Sequence, residues 1–143
     1  MSSPVTITLL GEPKGKGRGR VGKLHSGRPV VFTPQATKNY EGMLRDAAGK
    51  EMAGRAPMEG PIEVEMLAQF MPAASWSKKK QAAALRNEIM PTKKPDADNL
   101  MKCCDALNQI VWRDDAQVVT AIVRKRYGPH AALIVTVREI VAP

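Results

Sequence analysis

Residues 62–70 alternate apolar and polar side chains, the pattern of a β-strand that buries one face. The polar face would carry Glu63, Glu65 and Gln69. The opposite face would carry only apolar side chains, those of Ile62, Val64, Met66, Ala68 and Phe70. Such a strand has to lie in a sheet whose apolar face is covered by other elements, because only then does that face leave water. The chain is therefore expected to build a sheet with one covered and one wet face.

Two further elements are predicted before this strand. Residues 5–9 alternate apolar side chains with threonine and predict a first strand. Residues 33–34 are Thr-Pro, a helix-start signal, and the apolar spacing that follows predicts a helix that ends near Gly49 or Gly54. Between strand and helix, glycine and basic residues dominate, so we expect a mobile basic loop at about 11–30.

The region after residue 70 predicts two more helices. Ser75 or Ser77 would cap a short helix that ends before Pro91. Asp98 would open a second helix that runs to about Asn108. One side of this second helix would be apolar, with the spacing i, i+3, i+4, i+7 given by Leu100, Cys103, Cys104 and Leu107.

The last part of the chain predicts strands. Residues 117–126 and 131–140 are rich in β-branched side chains, and we expect them to form a terminal hairpin. A chain of 143 residues has the length of one domain. The order of elements then predicts one small α+β domain over residues 1–143, with a mixed β-sheet and helices packed on one face.

The charge of the chain indicates which class of molecule it binds. The formal net charge is +8, and twelve of the 22 basic residues lie in the windows 14–28 and 78–94, which favours nucleic acid. An aromatic content of 4% argues against a protein that binds single strands along an aromatic platform. Residues 66–77, the longest uncharged apolar-leaning run, are too few to span a membrane, and the N-terminus lacks a signal-peptide pattern. We therefore expect a cytoplasmic protein, with the adjacent Cys103 and Cys104 as buried thiols.

Acidic residues concentrate directly after the second basic window. Five of the 14 acids are Asp96, Asp98, Asp105, Asp114 and Asp115. Carboxylates beside a basic segment would repel DNA phosphates unless a cation lies between them. Mg²⁺ prefers oxygen ligands and is held by one or two carboxylates together with water and substrate phosphate. If residues 96–98 are extended, the carboxylates of Asp96 and Asp98 point to the same side and could share one ion.

Each of these residues also has a purely structural interpretation. Asp98 could be only the N-cap of the following helix. Lys102 could form a surface i,i+4 ion pair with Asp98, or it could be a cation beside the reacting phosphate. Asp114 and Asp115 could belong to a solvated turn. The residues alone leave both interpretations open.

The complete motif string adds information that single residues do not give. The strings 94–102 (Lys-Pro-Asp-Ala-Asp-Asn-Leu-Met-Lys) and 111–118 (Val-Trp-Arg-Asp-Asp-Ala-Gln-Val) resemble the RusA family of Holliday junction resolvases, which is common in bacteriophages and prophages. Further similarity lies in residues 11–18, in Phe-Thr-Pro at 32–34, and in Ser-Trp-Ser-Lys-Lys-Lys at 75–80. The resemblance covers nearly the full chain.

This resemblance implies a homodimeric, Mg²⁺-dependent endodeoxyribonuclease, with Mn²⁺ as a substitute ion and without an organic cofactor. It would resolve four-way DNA junctions by paired symmetric nicks in DNA recombination, repair and replication, leaving a 5′-phosphate and a 3′-hydroxyl. For a phage-encoded protein the location would be the cytoplasm of the bacterial host. Asp96, Asp98 and Asp115 match the metal-binding acids of the family, and Lys102 matches its catalytic lysine.

The same resemblance places further residues around this centre. Asp114 is a candidate for supporting the metal ligands from the second layer. The phosphate contacts would come from the basic residues Lys14, Lys16, Arg18, Arg20, Lys93 and Lys94. One departure concerns the spacing from Lys102 to Asp105, which is three residues where the family pattern has four. Along an α-helix one residue corresponds to a rotation of about 100°, so the presentation of Asp105 is affected, whereas the turn before Asp115 can restore the position of that residue.

Two other functions fit the same composition. The chain could be a DNA-binding protein without catalysis, in which the acids only cap helices and form turns. It could also be a degenerate family member that binds junctions and does not cut them. Zinc binding is not expected, because Cys103 and Cys104 with two isolated histidines lack the spaced ligand pairs of structural sites. Tyr40 is expected in the core. Trp112 is expected in the core or at an interface, and not as a base-stacking ring, because its neighbours Ile110 and Val111 are apolar.

Overall fold

The computed structural model describes residues 3–17, 20–32 and 34–141. Its strands are β1 (Val5–Leu10), β2 (Arg20–Lys23), β3 (Pro29–Phe32), β4 (Ile62–Phe70), β5 (Val118–Tyr127) and β6 (Ala132–Glu139). Its α-helices are α1 (Gln35–Met52), α2 (Lys78–Leu85) and α3 (Ala97–Lys102), and two 3₁₀ turns span Cys103–Leu107 and Asp115–Gln117.

The main sheet is mixed and has the strand order β1-β6-β4-β5. β4 is its central element, antiparallel to β6 and parallel to β5. At the middle of the sheet Met66 lies opposite Val135 on one side and Val123 on the other. The alternation predicted for residues 62–70 is confirmed, since Ile62, Val64, Met66 and Ala68 are fully buried.

The helices cover one face of this sheet, as predicted. Leu44 and Ala48 of α1 and Leu100 of α3 are completely buried against the strand residues Ile7 and Val135 in one core cluster. The opposite face is polar and carries an ion-pair network in which Arg138 bonds Glu63 and Glu65, and Arg124 bonds Glu65. The molecule is a small single α+β domain.

The predicted terminal hairpin is wrong. β5 and β6 do not pair with each other, because β4 lies between them. The connection after Tyr127 crosses the end of β4, where the N–H of Gly128 donates to the carbonyl of Phe70 at 2.8 Å. The Gln69 side chain donates to the carbonyl of His130 at 2.7 Å and holds the other side of this crossing. A short connection therefore spans two strand spacings instead of making a tight turn.

The helix predicted from Asp98 to about Asn108 is also corrected. The N-cap is Asp96, and Asp98 lies in the first turn of α3. The helix ends at Lys102, where the chain tightens into the 3₁₀ turn Cys103–Leu107. The predicted apolar side of this segment is nonetheless buried, including both cysteines. In the 3₁₀ turn residues three apart are eclipsed, which suits the short spacing between Lys102 and Asp105.

The remaining helix boundaries lie close to the predictions. α1 begins at Gln35, directly after Pro34, and ends at Met52 with Ala53 in a left-handed conformation. Thr33, the predicted cap, lies outside the described residues. The helix α2 is capped by Ser77, whose hydroxyl accepts from the N–H of Lys80 at 3.1 Å. None of the helices in the described part of the chain is long and apolar enough to cross a bilayer.

The basic segment before α1 contains structure that the sequence pattern did not predict. β2 and β3 form a two-stranded antiparallel sheet in which Arg20 lies opposite Phe32. Leu24 and Arg28 close its turn through a backbone hydrogen bond of 2.8 Å. Its apolar residues Val21 and Val31 are exposed and do not belong to the hydrophobic core cluster. The mobility predicted for residues 11–30 stays a prediction.

Candidate functional site

Asp96 begins α3 and caps it with its own side chain. Its Oδ1 accepts a hydrogen bond from the backbone N–H of Asn99 at 2.9 Å. Its carbonyl oxygen accepts from the N–H of Leu100 at 3.0 Å, the first hydrogen bond of the helix. Asp is a preferred N-cap because its carboxylate satisfies an N–H that has no partner within the helix. One of the predicted metal ligands is thus held in place by the helix that it starts.

A groove lies beside Asp96, between α3 and the segment 12–17. The N–H of Lys16 donates to the carbonyl of Asn99 at 3.0 Å, which fixes this segment across the helix. Gly15 permits the close approach, since a Cβ at this position would lie 2.9 Å from the Cβ of Asn99. The groove encloses about 820 Å³ and its charged lining includes Lys14, Lys16, Lys94, Asp96 and Glu12. Three lysines beside the carboxylates of Asp96 and Glu12 can hold a phosphate next to a cation ligand.

Asp98 and Lys102 form the i,i+4 pair considered in the sequence analysis. The Nζ of Lys102 lies 3.1 Å from Oδ2 of Asp98, and the two side chains are 54% and 76% exposed. An exposed pair of this kind contributes little to stability. Both groups are accessible from solution, so the pair leaves the functional interpretation open: each side chain can turn to a bound phosphate or cation.

Asp115 is held on a different part of the surface by a buried ring. The indole Nε1 of Trp112 donates to its Oδ1 at 2.8 Å, and Trp112 is 1% exposed. Trp112 therefore belongs to the core, as predicted, and orients one carboxylate oxygen of Asp115. This indole contact could not be deduced from the chain order, since it depends on how the turn at 113–114 folds.

The side chain of Asp114 stabilises the turn in which this residue lies. Its Oδ1 accepts from the N–H of Ala116 at 3.0 Å, and the Gln117 side chain accepts in return from the N–H of Asp114 at 2.8 Å. The amide of Gln117 also donates to the carbonyls of Met58 and Gly60, both at 2.9 Å. This is a capping box, and Asp followed three residues later by Gln is its signature in the sequence. The role of Gln117 could have been found from that spacing.

Lys16 links the groove to a second group of acids. Its Nζ lies 3.0 Å from Asp105 and 3.9 Å from Glu41, and the hydrogen bond to Asp105 raises the pKa of Lys16 above its ordinary value. Asp105 and Asp115 line a common cavity of about 160 Å³ next to Cys104. A side-chain hydrogen bond with Cys103, together with burial, holds the pKa of the Cys104 thiol well above its usual range, so this thiol stays protonated.

The predicted metal ligands do not all meet in one place. Within the described ranges, no group of three acidic, histidine or cysteine side chains is arranged to hold one metal ion. Asp96 lines the basic groove, whereas Asp115 lines the cavity next to Asp105. The chemistry of the donors nevertheless fits Mg²⁺, because that ion is commonly held by one or two carboxylates and completes its shell with water and phosphate.

Only some of the other predicted DNA contacts are placed next to the groove by the structure. Lys93 and Lys94 line a cavity with aromatic walls that shares Lys94 and Glu12 with the groove. Arg18 lies outside the described residues, and Arg20 is the first residue of β2. The aromatic walls, formed by Phe70, Trp76 and Tyr127, were not predicted from the sequence. They come from distant positions of the chain, and no local spacing connects them.

Comparison with known proteins agrees with the motifs. Residues 11–138 match the family model described as endodeoxyribonuclease RusA. The chain is also similar to YqaN, an uncharacterized protein of Bacillus subtilis (strain 168), with 32% identity over 141 residues, or 96% of this chain and 98% of YqaN. The matched range contains the groove, α3 and the turn at Asp115. The resemblance inferred from the motifs is confirmed.

Proposed function

The chain belongs to the RusA family of endodeoxyribonucleases, and from that membership we propose that it is a Mg²⁺-dependent endonuclease that resolves four-way DNA junctions by paired symmetric nicks. The observation that carries this proposal is the groove in which Lys14 and Lys94 surround Asp96. The groove brings together lysines that can bind phosphate and a carboxylate that can bind a metal ion. The cellular role would be in DNA recombination, repair and replication, in the bacterial cytoplasm.

The basic residues would bind the DNA backbone. Phosphate contacts position DNA without reading its bases, so selectivity for a junction would come from shape. Lys14 and Lys94 are the cations best placed for this, because both line the groove and, within the described residues, neither ammonium group forms a salt bridge with a carboxylate. The ammonium group of Lys16 forms salt bridges with Asp105 and Glu41, so Lys16 stabilises the wall of the groove.

Asp96, Asp98 and Asp115 would hold one or two Mg²⁺ ions, with water and substrate phosphate completing the shells, because the three carboxylates do not meet in one place. The bound Mg²⁺ would supply positive charge for the reacting phosphate and lower the pKa of a bound water. Asp96 is fixed by its cap contact, and Asp115 by the indole of Trp112. Asp98 is held by Lys102 until a phosphate enters. Lys102 would then neutralise charge that develops on the phosphate oxygens. Hydrolysis breaks the P–O3′ bond and leaves the water oxygen on the 5′-phosphate.

The proposal is tested by measuring binding and cleavage side by side. Wild type, Asp98→Asn and the control Asp46→Asn are incubated with a synthetic four-way junction or a matched linear duplex, with Mg²⁺ or with EDTA. Asp46 lies on the exposed side of α1 and lines none of the cavities described here, so its variant controls for the lost charge. We expect paired nicks on the junction from wild type and Asp46→Asn, and binding without nicks from Asp98→Asn.

Other outcomes decide against the proposal. If wild type binds the junction and does not nick it in Mg²⁺ or Mn²⁺, the chain is a non-catalytic or degenerate binder. If Asp98→Asn nicks at the wild-type rate, the acids at the start of α3 only cap and pair. Nicking of the linear duplex at the same rate as the junction would show a nuclease without structural selectivity.

A further inference from the structure

Half of the aromatic residues of this chain gather at one small cavity. The chain has six aromatic residues, and Phe70, Trp76 and Tyr127 line a space of about 170 Å³. The rings of Trp76 and Tyr127 meet edge to face with centroids 5.6 Å apart. Neither ring belongs to the buried core cluster, and each remains partly exposed. Their contribution to the core does not explain this gathering.

The local structure fixes Trp76 before any ligand arrives. The backbone N–H of Trp76 donates to the carbonyl of Ala73 at 3.0 Å, and the backbone carbonyl of Trp76 accepts from the side-chain amide of Gln81 at 2.9 Å. The cap that Ser77 makes on α2 follows directly after it. The indole is therefore presented at a defined place on a short, well-bonded turn, which lowers the entropy cost of using it as a binding surface.

Cations surround the rings. The ammonium of Lys80 lies 4.0 Å from the centroid of the Trp76 ring, and that of Lys125 lies 5.9 Å from the centroid of Phe70. Lys93 and Lys94 complete the rim. An apolar protein segment would have to desolvate these ammonium groups without compensation. A ligand with a flat π-face and negative charges next to it would meet both features of the cavity.

The position of the cavity identifies the source of that ligand. Lys94 and Glu12 line both this cavity and the groove at Asp96. A DNA strand whose phosphates lie in the groove would thus pass directly by the rings. The volume is below the roughly 300–1,000 Å³ of sites that enclose whole drug-sized ligands, which suits one flat ring that stays attached to a strand.

We propose that this cavity takes up one unstacked nucleobase of the bound DNA, with Trp76 as the stacking surface. The inference rests on the proposed function and adds a base-binding subsite to it. Bases next to a strand exchange are easier to unstack than bases inside a continuous duplex, because they lack a regular neighbour on one side. The subsite would therefore favour a junction over a duplex and fix the register of the strand in the groove.

The test combines two changes that should remove the same contact. Binding of wild type and Trp76→Leu is measured on an intact four-way junction and on a series of junctions, each with one abasic nucleotide near the crossover. Stacking of one base on an aromatic side chain contributes roughly 1–3 kcal/mol, so we expect Trp76→Leu to weaken binding of the intact junction roughly 5- to 150-fold. When the base at one particular position is missing, wild type should lose a similar amount of binding affinity. Removing that same base should weaken the binding of Trp76→Leu very little further.

Fluorescence supplies a second readout. Trp112 is 1% exposed, so quenching on DNA binding reports on Trp76. We expect quenching with the intact junction, and its loss at the abasic position that also weakens binding. Trp76→Phe should retain part of the affinity, because a smaller ring can still stack. Leu85→Ala, an exposed apolar residue of α2 that lines none of the described cavities, should bind as wild type does.

Two results would overturn the inference. One is unchanged junction binding by Trp76→Leu. The other is full additivity at every abasic position: the loss of affinity from Trp76→Leu and the loss from removing the base would then be independent. In that case the indole contacts no particular base. The proposed function is judged separately, by whether wild type prefers the junction over the duplex and nicks it. Trp76→Leu can fail this test while wild type remains a resolvase, so the two proposals are distinguishable.

Discussion

At the residue scale, Asp96 has two roles that substitution can separate. Asp96→Asn and Asp96→Ser keep an oxygen that can accept from the N–H of Asn99 and remove the negative charge. We expect both variants to bind a junction at least as well as wild type, because repulsion of phosphate is relieved, and to lose cleavage. Thermal unfolding should show nearly unchanged stability. Asp96→Ala should lose cleavage and also about 1 kcal/mol of stability, since it loses the cap.

The comparison of the three variants gives a clear contradiction. If Asp96→Asn cleaves as fast as wild type and only Asp96→Ala is impaired, Asp96 acts as a cap alone. Junction nicking and thermal denaturation on the same preparations decide between the two.

Glu65 offers a test of the polar sheet face. Hydrogen bonds from Arg138 and Arg124 lower the pKa of Glu65 below its ordinary value of 4.5. A depressed pKa in the folded state means that this carboxylate stabilises the fold above its ordinary pKa and loses that contribution as the pH falls through the lowered value. We expect Glu65→Gln to lower Tm at pH 7 by no more than a few degrees, and to leave it unchanged at a pH below the lowered pKa, where the Glu65 carboxyl is protonated in the folded and the unfolded state.

The control for this measurement is Glu51→Gln, which removes the charge of an exposed residue of α1. Its difference from wild type should not depend on pH in this way. A Glu65→Gln effect of equal size at both pH values would show that packing, and not the ion pairs, connects Glu65 to stability.

The candidate site residues could be predicted from the sequence, whereas the side chains to which they bond could not. The motif at 94–102 identified Asp96, Asp98 and Lys102, because capping and metal binding both favour aspartate at such positions. The contacts of Lys16 with Asp105 and of Trp112 with Asp115 join positions whose approach depends on the whole fold. No local pattern encodes them.

At the scale of elements, the crossing from β5 to β6 differs most from the sequence expectation. β-Branched side chains predict strands, and they do not state which strand lies beside which. Two adjacent strands with a short connection suggested a hairpin, but β6 pairs with β4 and β1 instead, and β5 is the edge strand on the far side of β4. α3 ended early for a similar reason: burial of Cys103 and Leu107 is compatible with a 3₁₀ turn as well as an α-helix.

This crossing can be tested with Gly128. A Cβ at this position would overlap the side chain of Gln69, which bonds the carbonyl of His130. We expect Gly128→Ala to destabilise the protein by about 1 kcal/mol, because the Gln69 side chain must turn away and lose its hydrogen bond to the carbonyl of His130. In a Gln69→Ala background the same substitution should cost far less, because the overlapping side chain is gone. Chemical denaturation of the four proteins gives the coupling.

Equal costs of Gly128→Ala in both backgrounds would contradict this arrangement. In a simple hairpin between β5 and β6, Gly128 would lie in the turn and away from Gln69. The cycle therefore tests the strand order itself.

At the scale of the whole molecule, the net charge of +8 predicts binding that weakens steeply with salt. Lys94 lines both the groove and the aromatic cavity, so Lys94→Ala should reduce the slope of log K against log salt by about one. Lys50→Ala, at the end of α1 and away from both cavities, removes the same charge and should leave the slope nearly unchanged. Binding isotherms at several salt concentrations measure both slopes. Equal slopes for wild type and Lys94→Ala would exclude a phosphate contact at Lys94.

The last prediction concerns assembly. Each chain has one basic groove at Asp96, and paired nicks on opposing strands of a junction need two such grooves related by a two-fold axis. We therefore expect twice the chain mass of 15.6 kDa in light scattering at working concentration. A mixed dimer of wild type and Asp98→Asn should then nick only one strand. On a plasmid with a cruciform, co-expressed mixed dimers isolated by two tags should give nicked circles, while wild-type dimers give linear DNA. Linear product from the mixed dimer would show that one groove serves both strands, and a monomer in solution would contradict the symmetry on which paired cutting depends.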